Sequence, residues 1–428
     1  MNSVKVSCLG GCREVGRSAF LIDIGNKRFL LDYGVLLDNH PCFPLHVSPN
    51  VIDAILLSHP HLDHSGAIPL LYSTKVKPPL FTTGLNALIS KHLIMDMLKL
   101  SAPLIPYEDY ELQKMLDCVI SIDYDSTIKI GEVEIRTLNA GHVPGSCMFT
   151  LSTKNFKALY TGDMNPIQTR LVHPVKMNDI VPENPINLLI VESTYGGRSH
   201  DNRELTEKSF TSSILKVIED GGLVLIPAFA YGRAQEILCI LYIYFKEFEA
   251  YMDGMAKTIS LQLAEFKNFL RDSILYESAL KKVKFVKGLK DRKRLTSGSG
   301  IVISPSGMLK GGPSLFYAQS ISRRSDSAIF LVSYQIPGTP GATLLNYGRL
   351  NLYSEKVKCD VKWFDFSSHG GRDELIRFIT EINDASGNLT KVLLVHGDED
   401  NSTSLMESLK NLGIEVILPR NGDTITLQ

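Results

Sequence analysis

Apolar and polar residues alternate at the start of the chain, with Val4, Val6 and Cys8 on one face and the segments 20–25 and 27–32 repeating the pattern around Gly25 and Asn26. This period of two predicts strands joined by a tight Gly-Asn turn. Residues 53–59 are almost wholly apolar up to Ser58 and His59, the pattern of a strand covered on both faces. They empty into a loop rich in histidine and aspartate, ahead of a helix-like segment. Further strands are expected at 79–83, 133–138, 147–152, 158–161 and 188–192. Several end on a polar residue, and the C-terminal end of a strand is where layered α/β proteins place their sites.

From about Arg198 the texture changes to helix and buried strand in turn: helix at 204–219, strand at 222–229, helix at 233–245, then strands at 301–304 and 328–333. That alternation predicts a parallel sheet. A Gly/Pro-rich crossing at 337–341 marks the return, followed by strand 361–366, helix 372–382, strand 392–395, helix 402–412 and strand 415–418. The expected organisation is a first domain over 1–197, an inserted domain over 198–350, and the closing part of the first domain over 351–428. There is no internal repeat and no low-complexity segment.

Composition narrows the class. At 428 residues the chain fits two domains, or one domain with a large insertion. Hydrophobic residues at 44% and charged residues at 21% exclude a disordered chain. The formal net charge of -1 lacks the overall basicity usual for phosphate binding, so a basic groove must be local. The cysteines at 8, 12, 42, 118, 147, 239 and 359 are scattered and form no CxxC pair, which argues against a disulfide framework or a thiolate zinc cage and for a reducing interior. Lys5, Arg13, Glu14, Arg17, Asp23 and Lys27 leave no apolar core for a signal peptide, and the longest apolar run, 237–245, is too short to span a bilayer. A cytoplasmic protein with no membrane partner is expected.

The densest chemistry follows strand 53–59, where His59, His61, Asp63 and His64 fall within six residues. Zinc takes such borderline nitrogen and oxygen donors. A loop at the end of a rigid strand can aim His59 and His61 one way and Asp63 and His64 another, so one segment can serve two metals. A chance polar loop is the plain alternative, weakened because three of the eleven histidines sit here. Four ligands cannot close two coordination spheres, so others are expected at further strand ends, and His142, Asp163 and Asp32 stand there. Singly, each is more often structural; beside the histidine loop the balance reverses.

The set Asp32, His59-x-His61-x-Asp63-His64, His142 and Asp163 resembles, in that chain order, the metallo-β-lactamase superfamily. The remainder resembles its β-CASP branch, whose members process nucleic acids. Glu192 within 191–196 matches that branch's first additional motif, His369 within 366–371 its second, and His396 within 394–398 its third. Histidine at the third motif is the mark of the RNA-processing members rather than the DNA cross-link repair ones. Segments 227–236 and 304–313 are similar to the cleavage and polyadenylation endonuclease subfamily. The whole is similar to its archaeal relatives without RNA-binding KH domains, since the chain starts at the first catalytic strand, and to ribonuclease J. The resemblance implies an α/β fold: a metallo-β-lactamase αββα sandwich with an inserted β-CASP domain built on a parallel sheet.

It also implies an enzyme, a ribonuclease with two zinc ions. His59, His61 and His142 would hold one ion and Asp63, His64 and His396 the other, with Asp163 bridging and Asp32 orienting the ligands from behind. Asp63, Glu192 and His369 are the catalytic candidates, His369 protonating the leaving 3′ oxygen and Glu192 orienting its ring. Phosphate binding without proton transfer is the plain alternative for His369. Arg233, Lys310, Gly311 and Gly312 are candidate RNA or phosphate contacts. The basic stretch 281–294 is either a local RNA groove or a solvated face. The resemblance to the archaeal group leans to 5′-to-3′ exonuclease action in RNA processing and decay, with an endonuclease of mRNA 3′-end processing as the alternative. An inactive RNA-binding paralogue would have lost ligands, and a small-molecule hydrolase would not need the inserted domain. RNA is the expected partner, and a homodimer is common among the relatives.

Overall fold

The computed structural model of the protein describes residues 3–37, 40–180, 185–245, 247, 249–387 and 391–427. Two compact units emerge, one comprising 1–168, 173–199 and 368–428, the other 169–172 and 200–367.

The first unit holds two seven-stranded sheets. One runs Thr424–Leu427, Val4–Gly10, Ala19–Ile24, Lys27–Leu31, Ala54–Leu56, Leu80–Thr82, Val119–Ser121 in order of pairing. The other runs Val416–Ile417, Lys391–Val395, Leu188–Glu192, Lys157–Tyr160, Cys147–Ser152, Val133–Asn139, Thr127–Ile130. Alternate side chains explain the layering. Val6, Phe20, Ile22, Phe29 and Leu56 from the first sheet share one core with Ile135, Phe149, Leu151, Leu188 and Ile190 from the second. The residues between them face outward, under helices. Ile55 and Leu57 pack with Ile94 and Met97 of helix Gly84–Ser101 and with Leu112 and Met115 of helix Asp109–Asp117. Leu189 and Val191 pack with Leu375, Phe378 and Ile379 of Arg372–Ala385 and with Leu405 and Leu409 of Glu399–Asn411. Strands such as Leu188–Glu192, apolar from Leu188 to Val191, are buried at every position because both faces are covered.

Direction matters for the site. Lys27–Leu31 is parallel to Ala54–Leu56, and Lys157–Tyr160, Leu188–Glu192 and Lys391–Val395 are parallel to one another. Within each sheet, the C-terminal ends of these parallel strands therefore open on the same edge, and there Asp32, His59, Asp163, Glu192 and His396 emerge. The apolar run continues past strand Ala54–Leu56 to Leu57, whose N–H bonds the Phe81 carbonyl, and the next N–H, that of Ser58, donates to an Asp32 carboxylate oxygen 2.7 Å away.

The second unit is built on a six-stranded sheet, all parallel: Lys284–Phe285, Ala250–Met252, Gly300–Ser304, Leu223–Pro227, Ala328–Leu331, Asp360–Trp363. Phe210, Ile214, Ile237 and Leu241 cover one face, and Tyr317, Ala318, Ile321 and Leu344 the other. Its end differs from the expectation. Asp360–Trp363 pairs with Ala328–Leu331 and completes this sheet, and the second unit runs to 367, where the expectation placed the return at 350. Apolar periodicity reveals a strand but not which sheet takes its backbone N–H and C=O groups. Among the described residues, no helix is long and apolar enough to cross a membrane.

Candidate metal centre

The site begins with backbone geometry at the strand ends. Asp32 and His396 adopt left-handed conformations, φ 57° and 48°, and Gly141 and Gly162 do so immediately before His142 and Asp163. For a residue with a Cβ this costs about 1–2 kcal/mol. Local hydrogen bonds offset it: Asp32 N donates to Leu56 O at 3.0 Å and His396 N to Gly11 O at 2.6 Å. Gly162 is needed for closeness as well, since a Cβ there would lie 2.6 Å from the Ser58 Cβ.

The histidine loop ends in the short helix Leu62–Ser65. Ser18, Tyr33 and Val35 each donate a backbone N–H at 2.8 Å to the carbonyls of Asp63, His64 and Leu62, respectively. Gly34 lies so near that a Cβ would sit 1.8 Å from the Asp63 carbonyl oxygen. The loop is therefore fixed before any side chain is considered.

The donor atoms converge on Asp163, and its two oxygens divide them. Oδ2 lies 3.5 Å from His59 Nε2 and 3.8 Å from His142 Nε2. Oδ1 lies 3.2 Å from His64 Nε2 and 3.6 Å from His396 Nε2, and the latter is 3.7 Å from Asp63 Oδ2. His61 Nδ1 stands 3.2 Å from His142 Nε2, so His59, His61, His142 and Asp163 form one cluster of donors. His64, Asp163 and His396 form a second, and His59, Asp63 and His64 meet between them.

Hydrogen bonds behind the rings assign their tautomers. His64 Nδ1 donates to Asp32 Oδ2 at 2.7 Å, His142 Nδ1 to the Ser368 carbonyl at 2.9 Å, and His59 Nδ1 to Ser58 Oγ at 3.1 Å. The Ser58 hydroxyl is itself committed to Asp32 Oδ2, 2.6 Å away, which leaves its oxygen to accept. Each of these three rings thus turns an Nε2 lone pair inward. Among the described residues, His59 Nε2, His64 Nε2 and Asp163 Oδ1 are buried without a well-formed hydrogen bond, although the His64 and Asp163 atoms stand 3.2 Å apart, within ion-pair range. Leaving such atoms unsatisfied costs about 1–3 kcal/mol each. A divalent metal ion would remove that cost, and neutral imidazoles with a carboxylate are the donor set such an ion takes. Burial, and then the neighbouring His64, hold His59 well below the usual imidazole range, while burial and then His369 do the same to His142. Burial would raise the Asp163 carboxyl, but His396 and His64 outweigh it and keep it well below the usual carboxylate range. The residues fit a metal.

Asp32 is wholly buried and accepts from Ser58 N, Ser58 Oγ, His64 Nδ1 and the Tyr160 hydroxyl, the last at 2.6 Å. Asp32→Ala would leave all of these without their acceptor. It is expected to lower metal affinity and activity together by about 10–100-fold, read as metal content after dialysis alongside RNA cleavage. Full metal retention would contradict the role.

Glu192 is also wholly buried. It accepts the His369 Nδ1 proton at 2.8 Å on Oε2, Met164 N at 2.7 Å on Oε1, and the Thr194 hydroxyl. Its carboxylate therefore orients the His369 ring and the backbone just after Asp163. Burial alone would lower the His369 pKa, but Glu192 and then Asp163 outweigh it and hold it up to about 9. His369 Nε2 lies 3.9 Å from Asp163 Oδ2, at the edge of the donor cluster.

The remaining candidates fare differently. Arg233, expected at a phosphate, is buried in an ion pair with Glu236 three residues on, and Glu236 also receives Arg203. Opening a helix at the i, i+3 spacing brings the guanidinium back onto its own carboxylate. Lys310 is exposed in the loop before helix Gly312–Ile321; a Cβ at Gly311 would meet nothing within 4 Å, and Gly312 has φ 66°. In the basic stretch, Lys282, Lys284 and Arg292 are paired with Glu247, Glu249 and Asp253, a partly neutralised face. Sequence reasoning missed Ser18, Ser58, Tyr160 and Thr194. Ser58 and Thr194 adjoin recognised residues, but for Ser18 and Tyr160 nothing local could have signalled a role.

Three family models match the chain: a metallo-β-lactamase superfamily domain over 19–193, a β-CASP domain over 234–344, and a Zn-dependent metallo-hydrolase RNA specificity domain over 354–419. The chain is 39% identical over 424 residues to RNase aCSPSF2 of Saccharolobus solfataricus, covering 98% of this chain and 84% of that one. It is 34% identical over 429 residues to the Probable RNase MJ4 of Methanocaldococcus jannaschii, covering 98% and 99%. To the Transcription termination factor FttA of Methanothermobacter thermautotrophicus it is 31% identical over 464 residues, covering 99% and 72%.

Proposed function

The chain belongs to the metallo-β-lactamase superfamily, in the branch with β-CASP and RNA-specificity domains, and is a metal-dependent ribonuclease; from that premise we propose that it cuts RNA at a pair of zinc ions, in the 5′-to-3′ direction. The observation that carries the two-ion reading is the division of the Asp163 carboxylate, one oxygen toward His59 and His142 and the other toward His64 and His396. His59, His61 and His142 would hold one ion, Asp63, His64 and His396 the other, and Asp163 both. When bound, such a pair supplies an acidified water and neutralises charge on the phosphoryl oxygens.

The chain's own residues do the rest. His369 holds a proton at Nε2 while its Nδ1 proton is shared with Glu192, so the ring faces the donor cluster in one orientation. As the bond between phosphorus and the 3′ oxygen breaks, that Nε2 proton passes to the leaving oxygen. Asp32 and Ser58 keep His59 and His64 from turning. An inactive RNA-binding paralogue fits less well, because every donor of both clusters is present and aimed inward. A small-molecule hydrolase gives no reason for a pairing of Glu192 with His369.

Metal analysis of the purified protein should give two zinc ions per chain, and chelation should abolish cleavage of labelled RNA. Linear 5′-monophosphorylated RNA should be degraded while the same RNA closed into a circle survives. Rapid cutting of the circle would replace the exonuclease reading with an endonuclease, the action suggested by the similarity of segments 227–236 and 304–313 to the cleavage and polyadenylation endonuclease subfamily.

A further inference from the structure

The imidazoles of the centre are held from behind by different partners. Asp32 holds His64 directly and His59 through Ser58, while the Ser368 carbonyl holds His142. His396 is held by Ser18, whose hydroxyl oxygen is fully buried and lies 2.6 Å from His396 Nδ1. The same residue reaches a second donor of that cluster. Ser18 N donates to the Asp63 carbonyl at 2.8 Å, and Asp63 Oδ2 stands 3.7 Å from His396 Nε2.

Resting on the two-ion reading, we infer that Ser18 is a positioning residue for one ion only, the one offered by Asp63, His64 and His396. With Nδ1 donating to the Ser18 hydroxyl, His396 presents a lone pair at Nε2. Without that acceptor the ring can rotate or move its proton to Nε2, and neither state can hold an ion. The His396 backbone does not depend on Ser18, because its N–H is bonded to Gly11 O at 2.6 Å. The seat is closely packed: a Cβ on Gly11 would come within 3.0 Å of Ser18 Cα and 3.1 Å of its hydroxyl oxygen. Deleting one hydroxyl there leaves little room for a water to replace it. The bonds that fix His59 and His142 run to Ser58 and Ser368, away from Ser18. Asp32 thus serves rings of both clusters, and Ser18 serves the second.

The test is zinc titration of the metal-stripped full-length protein against a chromophoric chelator, with thermal melting in parallel. Wild type should show two binding steps. Ser18→Ala should weaken one of them about 10–100-fold and leave the other unchanged, whereas Asp32→Ala should weaken both. With cobalt(II), the spectrum of a single equivalent should change. Unchanged affinity at both steps, or equal loss at both, overturns the inference, since equal loss is what a purely structural role gives. If Ser18→Ala does not fold, Ser18→Cys keeps the volume with a weaker acceptor, and the same outcomes decide. A wild-type protein that takes up only one ion overturns the two-ion reading, and the inference with it.

Discussion

Asp163→Ala is expected to abolish RNA cleavage, with a loss of at least about a thousandfold, and to empty both ion positions at once. The magnitude follows because a metal pair contributes several kcal/mol to stabilising the transition state and each 1.36 kcal/mol is about a factor of ten. The breadth of the effect follows from geometry. Asp163 faces His59 and His142 with one oxygen and His64 and His396 with the other, so its loss removes a donor from both clusters. Asp63→Ala should be equally damaging to cleavage yet spare the ion held by His59, His61 and His142. Metal content measured on both variants separates the two cases: two ions retained in Asp163→Ala would remove the bridging role. The fold should survive, since Asp163 lies beyond strand Lys157–Tyr160 and contributes nothing to the sheet cores.

His369→Ala is expected to slow cleavage by about a hundredfold to ten-thousandfold, the range for loss of a positioned proton donor, with metal content unchanged. The pH dependence carries the sign. His369 acts when protonated, so the wild-type rate should fall as pH rises through its pKa, and in His369→Ala that alkaline limb should vanish. Burial lowers this pKa while Glu192 and Asp163 raise it to about 9. Divalent ions beside Asp163 would offset the Asp163 share, so in the loaded enzyme the limb is expected below that value, held up by Glu192. Glu192→Gln should move it lower still, because a neutral amide no longer favours the imidazolium. A His369→Ala profile that keeps the wild-type alkaline limb would end the proton-donor role and leave His369 as a phosphate contact.

Much of the framework could be read from the chain alone because the patterns concerned are local. An apolar residue at every position from Leu188 to Val191 says that both faces are covered, whatever covers them. A cluster of four ligand-type residues in six positions after a buried strand says that a metal is near, and the order of the remaining His and Asp residues along the chain resembles one superfamily. Burial periodicity and ligand spacing are properties of a few consecutive residues, so folding does not have to be known to see them.

Only the tertiary structure decided the rest. That Asp163 divides its oxygens between two groups of imidazoles, that Ser18 meets His396 across 378 residues, and that Arg233 turns back onto Glu236 all depend on side-chain direction. That Asp360–Trp363 finishes the second unit's sheet depends on which strand accepts its backbone hydrogen bonds. The sequence determined the kinds of surface and the kinds of donor. Strand pairing and the close approach permitted at Gly34 and Gly162 determined which donors meet, because contacts between distant residues are set by register and packing, which leave no trace in local periodicity.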